Sequence, residues 1–279
     1  MLTMFTNSAA MSSTNSMNRA NSALSTAMER LGTGKRINSA ADDAAGLQIA
    51  TRLDGQSRGM AVAQNKIAKG TALLQTAEGA FDEVNNILFR MKDLATQAAD
   101  DTNNADDRTA LQSEFTALNA ELKNIMDNTS YGTEKMFGAS GKMSTAMQFQ
   151  IGASAEEKLS VDLSTKLTAV SGALAKLTAS GISGGAAEGN AMLKEVTGAL
   201  DAVGSIRSDL GANINRLGHT AANLANMKDN TDLNLGTIRD ADFADEASKM
   251  SRQNMLMQSS QAMLKQANGM GSMVLGMLG

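Results

Sequence analysis

IATRLDGQSRGMAVAQNKIAKGTALLQTAEGAFDEVNNILFRMKDLATQA, residues 49–98, decides the fold. Within it Ile49, Leu53, Gln56, Met60, Ala63, Ile67, Gly70, Leu74, Ala77, Phe81, Val84, Leu88, Met91, Ala95 and Ala98 step alternately by four and three residues, and only Gln56 and Gly70 interrupt the apolar run. That spacing lays one stripe along an α-helix and repeats as heptads. At about 1.5 Å per residue the helix would be roughly 75 Å long, far beyond the ordinary globular span of about 8 to 20 residues. A stripe of that length is buried only lengthwise, so the chain must supply other long helices.

Outward from this stretch the partners come into view. Downstream, Asp100 to Asn104 reads as a turn, with Asp106 and Asp107 placed to complement the dipole of a second helix. The seam of that helix is Leu111, Phe115, Leu118, Leu122 and Ile125, and the short loop predicts an antiparallel return. Between Tyr131 and Gly189 the composition turns to glycine, serine and small residues. There Met147, Phe149 and Ile151 alternate with polar residues, as do Leu159, Val161 and Leu163, which predicts a hairpin. The remainder, through Gly181 to Gly189, reads as loop or short helix. Helical spacing returns at Leu193, Val196, Leu200, Val203, Arg207, Leu210, Ile214, Leu217, Ala221, Leu224, Lys228 and Thr231, the long partner that the first seam requires.

The two ends of the chain carry weaker helices. Ala10, Thr14, Met17, Asn21, Leu24, Met28 and Leu31 form one seam; Phe243, Ala247, Met250, Asn254, Met257, Gln261 and Leu264 form the other, with Val274, Leu275 and Leu278 beyond it. Each offers too little apolar area to offset chain entropy alone. They are expected to pair with each other and with neighbouring copies of the chain. Between the first weak helix and the long one lies GTGKRINSAADDAAG, residues 32–46, an ordered connector in which Ser39 or Asp42 is placed to cap the long helix. The fold expected is mainly α, a long antiparallel helical bundle or coiled coil formed by N- and C-terminal segments, with a small β-hairpin region in the middle.

Composition narrows the function classes. The 279 residues hold no Pro, Cys or Trp, and 20 Met stand where Leu or Ile would serve in an ordinary core. Without cysteine there is no disulfide or thiolate metal site, and a net charge of −4 spread along the chain leaves no basic stripe for nucleic acid or anionic lipid. No basic start and apolar block marks a secretory leader in residues 1–20, and no run is long enough to span a membrane. Gly34-Lys35 is no phosphate loop, because Glu29 and Arg36 stand where that motif needs glycine and a hydroxyl. The single His219 lies one place off a helical seam and has no second histidine beside it in a ligand spacing; it is read as structural. The pairs Asp42/Asp43, Asp100/Asp101 and Asp106/Asp107 sit at helix starts and turns, where capping accounts for them. No catalytic, metal or cofactor residues are assigned.

GTGKRINSAADDAAG resembles the SGLRINSAKDDAAG signature of bacterial flagellins. RSDLGA at 207–212, NRL at 215–217, Asn223 with Leu224, IRDADFADE at 238–246 and MSR at 250–252 are similar to motifs of that family, in the family's order. The resemblance implies an inner, filament-core helical domain built from residues 1–46 and 233–279. It implies an outer domain, residues 47–232, of long helices with a hairpin near 147–163, and little surface decoration. It also implies a structural subunit, not an enzyme, exported unfolded without a cleavable signal and polymerised into the extracellular filament. Met17, Leu24, Met28, Leu31, Phe243, Met250, Met257, Leu264, Val274 and Leu278 are the assembly residues expected. Implied partners are other copies of the chain, the flagellar cap and hook-filament junction proteins, and an export chaperone at the C-terminal segment. LFRMKDLATQ, residues 88–97, resembles the site bound by Toll-like receptor five, through Arg90 and Leu94 with Glu114 on the next helix, whereas Phe89 and Met91 depart from the usual residues. A hook-filament junction protein, with related termini, and a cytoplasmic coiled-coil scaffold are the competing readings.

Overall fold

The structure is a computed structural model that describes residues 7–138 and 140–278, and the side chains among them up to residue 269. Six helices run in order: α1 (Ser8–Thr33), α2 (Ala44–Ala98), α3 (Ala105–Asn128), α4 (Ser164–Ala179), α5 (Ala186–Arg239) and α6 (Phe243–Leu278). Between α3 and α4 lie a two-residue ladder, β1 (Ser130–Tyr131) with β2 (Glu134–Lys135), and the hairpin β3 (Met147–Gln150) with β4 (Lys158–Val161). Both pairs are antiparallel, and Phe149 stands opposite Leu159 in the hairpin. This is the mainly helical fold expected, with the hairpin where the alternation placed it.

The chain forms two compact units: residues Met1–Gln56 with Asp229–Gly279, and residues Ser57–Lys228. Both divisions fall inside helices, α2 and α5.

The larger unit is a helical bundle whose order follows from cross-helix pairs. Gly189 at the start of α5 abuts Ala99 just past α2, and Arg207 farther along binds Glu78 and Asp82 at 2.8 and 2.9 Å. The two helices are therefore antiparallel. Arg90 on α2 reaches Glu114 on α3, and on α4 Lys166 reaches Asp209 while Lys176 reaches Glu195, so α4 also runs against α5. Every seam residue from Met60 to Ala98 is buried, with Phe81 set against Phe137 at a ring-centroid distance of 4.7 Å. Gly70, the gap in the apolar run, is where the hairpin docks: a Cβ there would lie 2.8 Å from the Phe149 ring. The missing side chain is replaced by one from another element.

Two seam readings shift by one residue. Upstream of Met60 the buried positions of α2 are Gly46, Ala50 and Ser57, whereas Ile49 and Gln56 are exposed. The switch coincides with the passage between units, where a different set of neighbours selects the face. In α5, Val196, Val203, Leu210, Leu217, Leu224 and Thr231 are buried as expected, but Met192, Ala199 and Ile206 hold the alternate positions in place of Leu193, Leu200 and Arg207. The segment left between loop and helix contains α4, which buries Leu167, Val170, Leu174 and Leu177.

Candidate functional site

In the smaller unit the two ends of the chain meet. Asn7 caps α1 by accepting from the Ala10 amide at 3.1 Å, and its Nδ2 donates to the Ala267 carbonyl at 2.9 Å. At the other end Arg30 meets Glu246 at 3.3 Å. Hence α1 and α6 lie antiparallel. Among the described residues their shared interior is thin: Ala20, Leu24 and Ala27 on α1, Ala267 on α6 and the buried Glu246. Alanine allows close approach but buries little area, so the pair holds a register with a weak apolar grip.

That register is set by the connector. Backbone donors of Arg36 and Ala241 bond the Arg239 and Gly34 carbonyls at 2.6 and 3.0 Å, clipping residues 34–36 to residues 239–241. The Arg36 guanidinium donates to the Ile238 carbonyl at 2.6 Å. Gly34 closes α1 with φ 70°, a left-handed conformation that suits glycine. Asp42 does not cap α2 as expected. Its Oδ2 accepts from the Ser39 and Asn38 amides at 2.8 and 3.1 Å, folding the connector onto itself, while Asp43 accepts from the Gly46 amide at 2.8 Å and is the true cap. The Ser39 and Asn38 amides, then the Ser39 hydroxyl and Arg30, hold the Asp42 carboxyl below the ordinary aspartate range. Glu246 takes both Arg30 and Lys249. Hydrogen bonds from Lys249 to Asp245 and then Glu246 raise the lysine's pKa.

The outer faces of the same helices carry large apolar side chains among polar ones. Met11 and Met28 on α1, and Phe243, Met255, Leu256 and Met263 on α6, are all more than half exposed or nearly so. Of the expected assembly residues, Leu24 is buried within the pair, and Met17, Leu31, Met250, Met257 and Leu264 are half-buried in it. Met28 and Phe243 face outward; the side chains of Val274 and Leu278 lie outside the described residues. Met11 on α1 and Met255, Leu256 and Met263 on α6 lie off the seams read from sequence and are exposed as well.

On the larger unit Arg90 pairs with Glu114 at 2.6 Å beside an exposed Phe89. Leu94, read from sequence as a surface contact, is 1% exposed and belongs to the core. Its helical phase, three residues past Met91, turns it inward. Asp107 forms a reciprocal capping box with Asn104 at the start of α3. Among the described residues no helix is long and apolar enough to cross a membrane.

Residues 4–142 match the family model described as the bacterial flagellin N-terminal helical region, and residues 193–278 match that of the C-terminal helical region. A flagellin of Halalkalibacterium halodurans is 40% identical over 253 residues, covering 90% of both chains. A flagellin of Bacillus subtilis is 36% identical, covering 98% of both. Among solved structures, a putative flagellar hook-associated protein from Vibrio parahaemolyticus aligns with a TM-score of 0.59 at 15% identity, over 71% of this chain and all of that one, a likeness of fold.

Proposed function

The chain belongs to the bacterial flagellin family, and from that premise we propose that it is exported unfolded and polymerises into the helical flagellar filament that serves motility. The observation that carries the reading is the thin α1/α6 interior beneath an exposed apolar exterior. A helix pair with so little buried area gains the rest from neighbouring copies, and unlike, non-closing contacts of this kind extend into a helix. A pair held this weakly also opens readily, which suits passage of the chain through a narrow channel. Purified chain added to sheared filament seeds should elongate them, while the double variant Phe243→Ser, Leu256→Ser should stay monomeric with an unchanged circular dichroism spectrum. Normal elongation by that variant overturns the mechanism.

The fold likeness to a hook-associated protein bears on architecture alone; the family match favours the filament over the junction and over an internal scaffold. Residues Met1–Gln56 and Asp229–Gly279 would form the filament core, and Ser57–Lys228 the outer part. The cap, the hook-filament junction proteins and an export chaperone on the C-terminal segment are the partners this role requires. A second, separable role is recognition by Toll-like receptor five. Phe89, Arg90 and Glu114 form the accessible part of that surface, with Leu94 supporting it from beneath. Arg90→Ala should weaken receptor binding about tenfold, as loss of a charge-assisted contact does; unchanged affinity removes Arg90 from the interface.

A further inference from the structure

The core methionines of the larger unit and the outer methionines of the smaller one stand in opposite surroundings. In the larger unit Met60, Met91, Met136, Met143 and Met192 are all at most 1% exposed, closed off from solutes. In the smaller unit Met11, Met28, Met255 and Met263 are 52 to 64% exposed. Their helical positions are informative. Met11 precedes buried Ala20 by nine residues and Met255 follows buried Glu246 by nine, which at about 100° per residue sets each on the face opposite the α1/α6 interior. Changes at the Met11 and Met255 sulfurs therefore leave the pair's own packing untouched, and Met28 and Met263, closer in phase to the interior, are still 52 and 63% exposed, so all four alter the surface offered to another molecule. The chain holds no cysteine that would react first with an oxidant.

We propose that Met11, Met28, Met255 and Met263 are a methionine-sulfoxide modification site, through which peroxide-class oxidants switch the free subunit between polymerising and non-polymerising forms. This rests on the reading of the chain as a filament subunit. In the step, a thioether sulfur lone pair attacks one oxygen of hydrogen peroxide. An S–O bond forms and the O–O bond breaks; sulfur loses two electrons, and the departing hydroxide takes a proton to leave as water. The product is a polar sulfoxide where an apolar side chain stood, which disfavours burial against a neighbour. A dithiol-dependent methionine sulfoxide reductase reverses it: two thiols become a disulfide and the oxygen leaves as water. Within a filament the same sulfurs are covered, so the switch acts on subunits before incorporation.

The test uses the full chain. Limited hydrogen peroxide is applied to monomer and, separately, to finished filaments; sulfoxides are located by peptide mass spectrometry, and seeded elongation is followed by light scattering. Monomer should carry sulfoxide first at these four positions, elongate about tenfold more slowly, and recover after reductase treatment; filaments should be protected at the same four. A variant with Met11, Met28, Met255 and Met263 all replaced by Leu, a volume-conserving change, should elongate at the same rate with and without peroxide treatment, whatever its untreated rate. Oxidised wild-type chain that elongates normally, or oxidation that falls first on the buried methionines, overturns the proposal and leaves the filament reading standing. Untreated chain that fails to elongate seeds overturns both.

Discussion

Gly189 and Gly198 lie on the same helix and make opposite predictions. A Cβ on Gly189 would sit 2.6 to 3.0 Å from backbone atoms of Ala98 and Ala99, whereas one on Gly198 meets nothing within 4 Å. Gly189→Ala should therefore cost about 1 to 3 kcal/mol of overpacking, outweighing the propensity gain. Gly198→Ala should stabilise by about 1 kcal/mol from propensity alone. Thermal melts of the two variants should move in opposite directions. Asp42 makes a pH prediction. Its folded pKa is depressed, first by the Ser39 amide and then by the Asn38 amide, so its contribution is complete above the unfolded value of about 3.9. That contribution is lost as pH falls through the lower folded value. Hydrogen exchange at the Ser39 amide should accelerate in that acidic window, and Asp42→Asn should abolish the dependence.

At the scale of elements, α1 and α6 depend on each other. Leu24→Ala removes the largest of the three buried residues on α1 and should cost about 2 to 3 kcal/mol, read as lost helicity confined to the terminal pair. Removing residues 243–279 should leave the larger unit soluble and helical but unable to elongate seeds; efficient growth by the truncated chain would contradict the assigned role of α6. Much of this element plan was legible in sequence because heptad spacing over α2 and α5 and alternation in β3 and β4 are long or strict enough to identify the elements, even though the phase shifts by one residue at Ile49 and Gln56 and at Leu193, Leu200 and Arg207. The short α4 was not resolved, although Leu167, Val170, Leu174 and Leu177 step by three and four; glycine and serine around it masked four well-spaced residues. Phase failed where the pattern was permissive. Alanine and methionine neighbours let the reading of α1 slide by one position, so Ala20 and Ala27 are buried in place of Asn21 and Met28. On α6 the adjacent apolar residues Met255, Leu256 and Met257 fit more than one phase, so spacing alone does not say that Met255 and Leu256 are the exposed ones.

For the whole molecule, the contrast between units predicts stepwise unfolding. The larger unit buries a continuous core from Met60 to Leu224, whereas the described residues of the smaller bury, of apolar side chains, only four alanines with Leu24, Ile37 and Leu235, beside charged contacts. Amide exchange should release Ala20 and Leu24 well before Val84 and Leu210, and denaturant should lose the two units in separate transitions. A single coincident transition would show that they fold as one. The clip between the connector and the start of α6 also governs time. The Arg36 guanidinium and the Ile238 carbonyl that it binds are 202 residues apart in sequence, and closing so long a loop is slow as well as entropically costly. On a ribosome, the N-terminal helix must wait, solitary and marginal, until almost the whole chain has been synthesised. A product cut short within the C-terminal half thus never completes the smaller unit. A chain that ends before residue 238 lacks the Ile238, Arg239 and Ala241 partners of Gly34 and Arg36, so its first helix has nothing to fasten to.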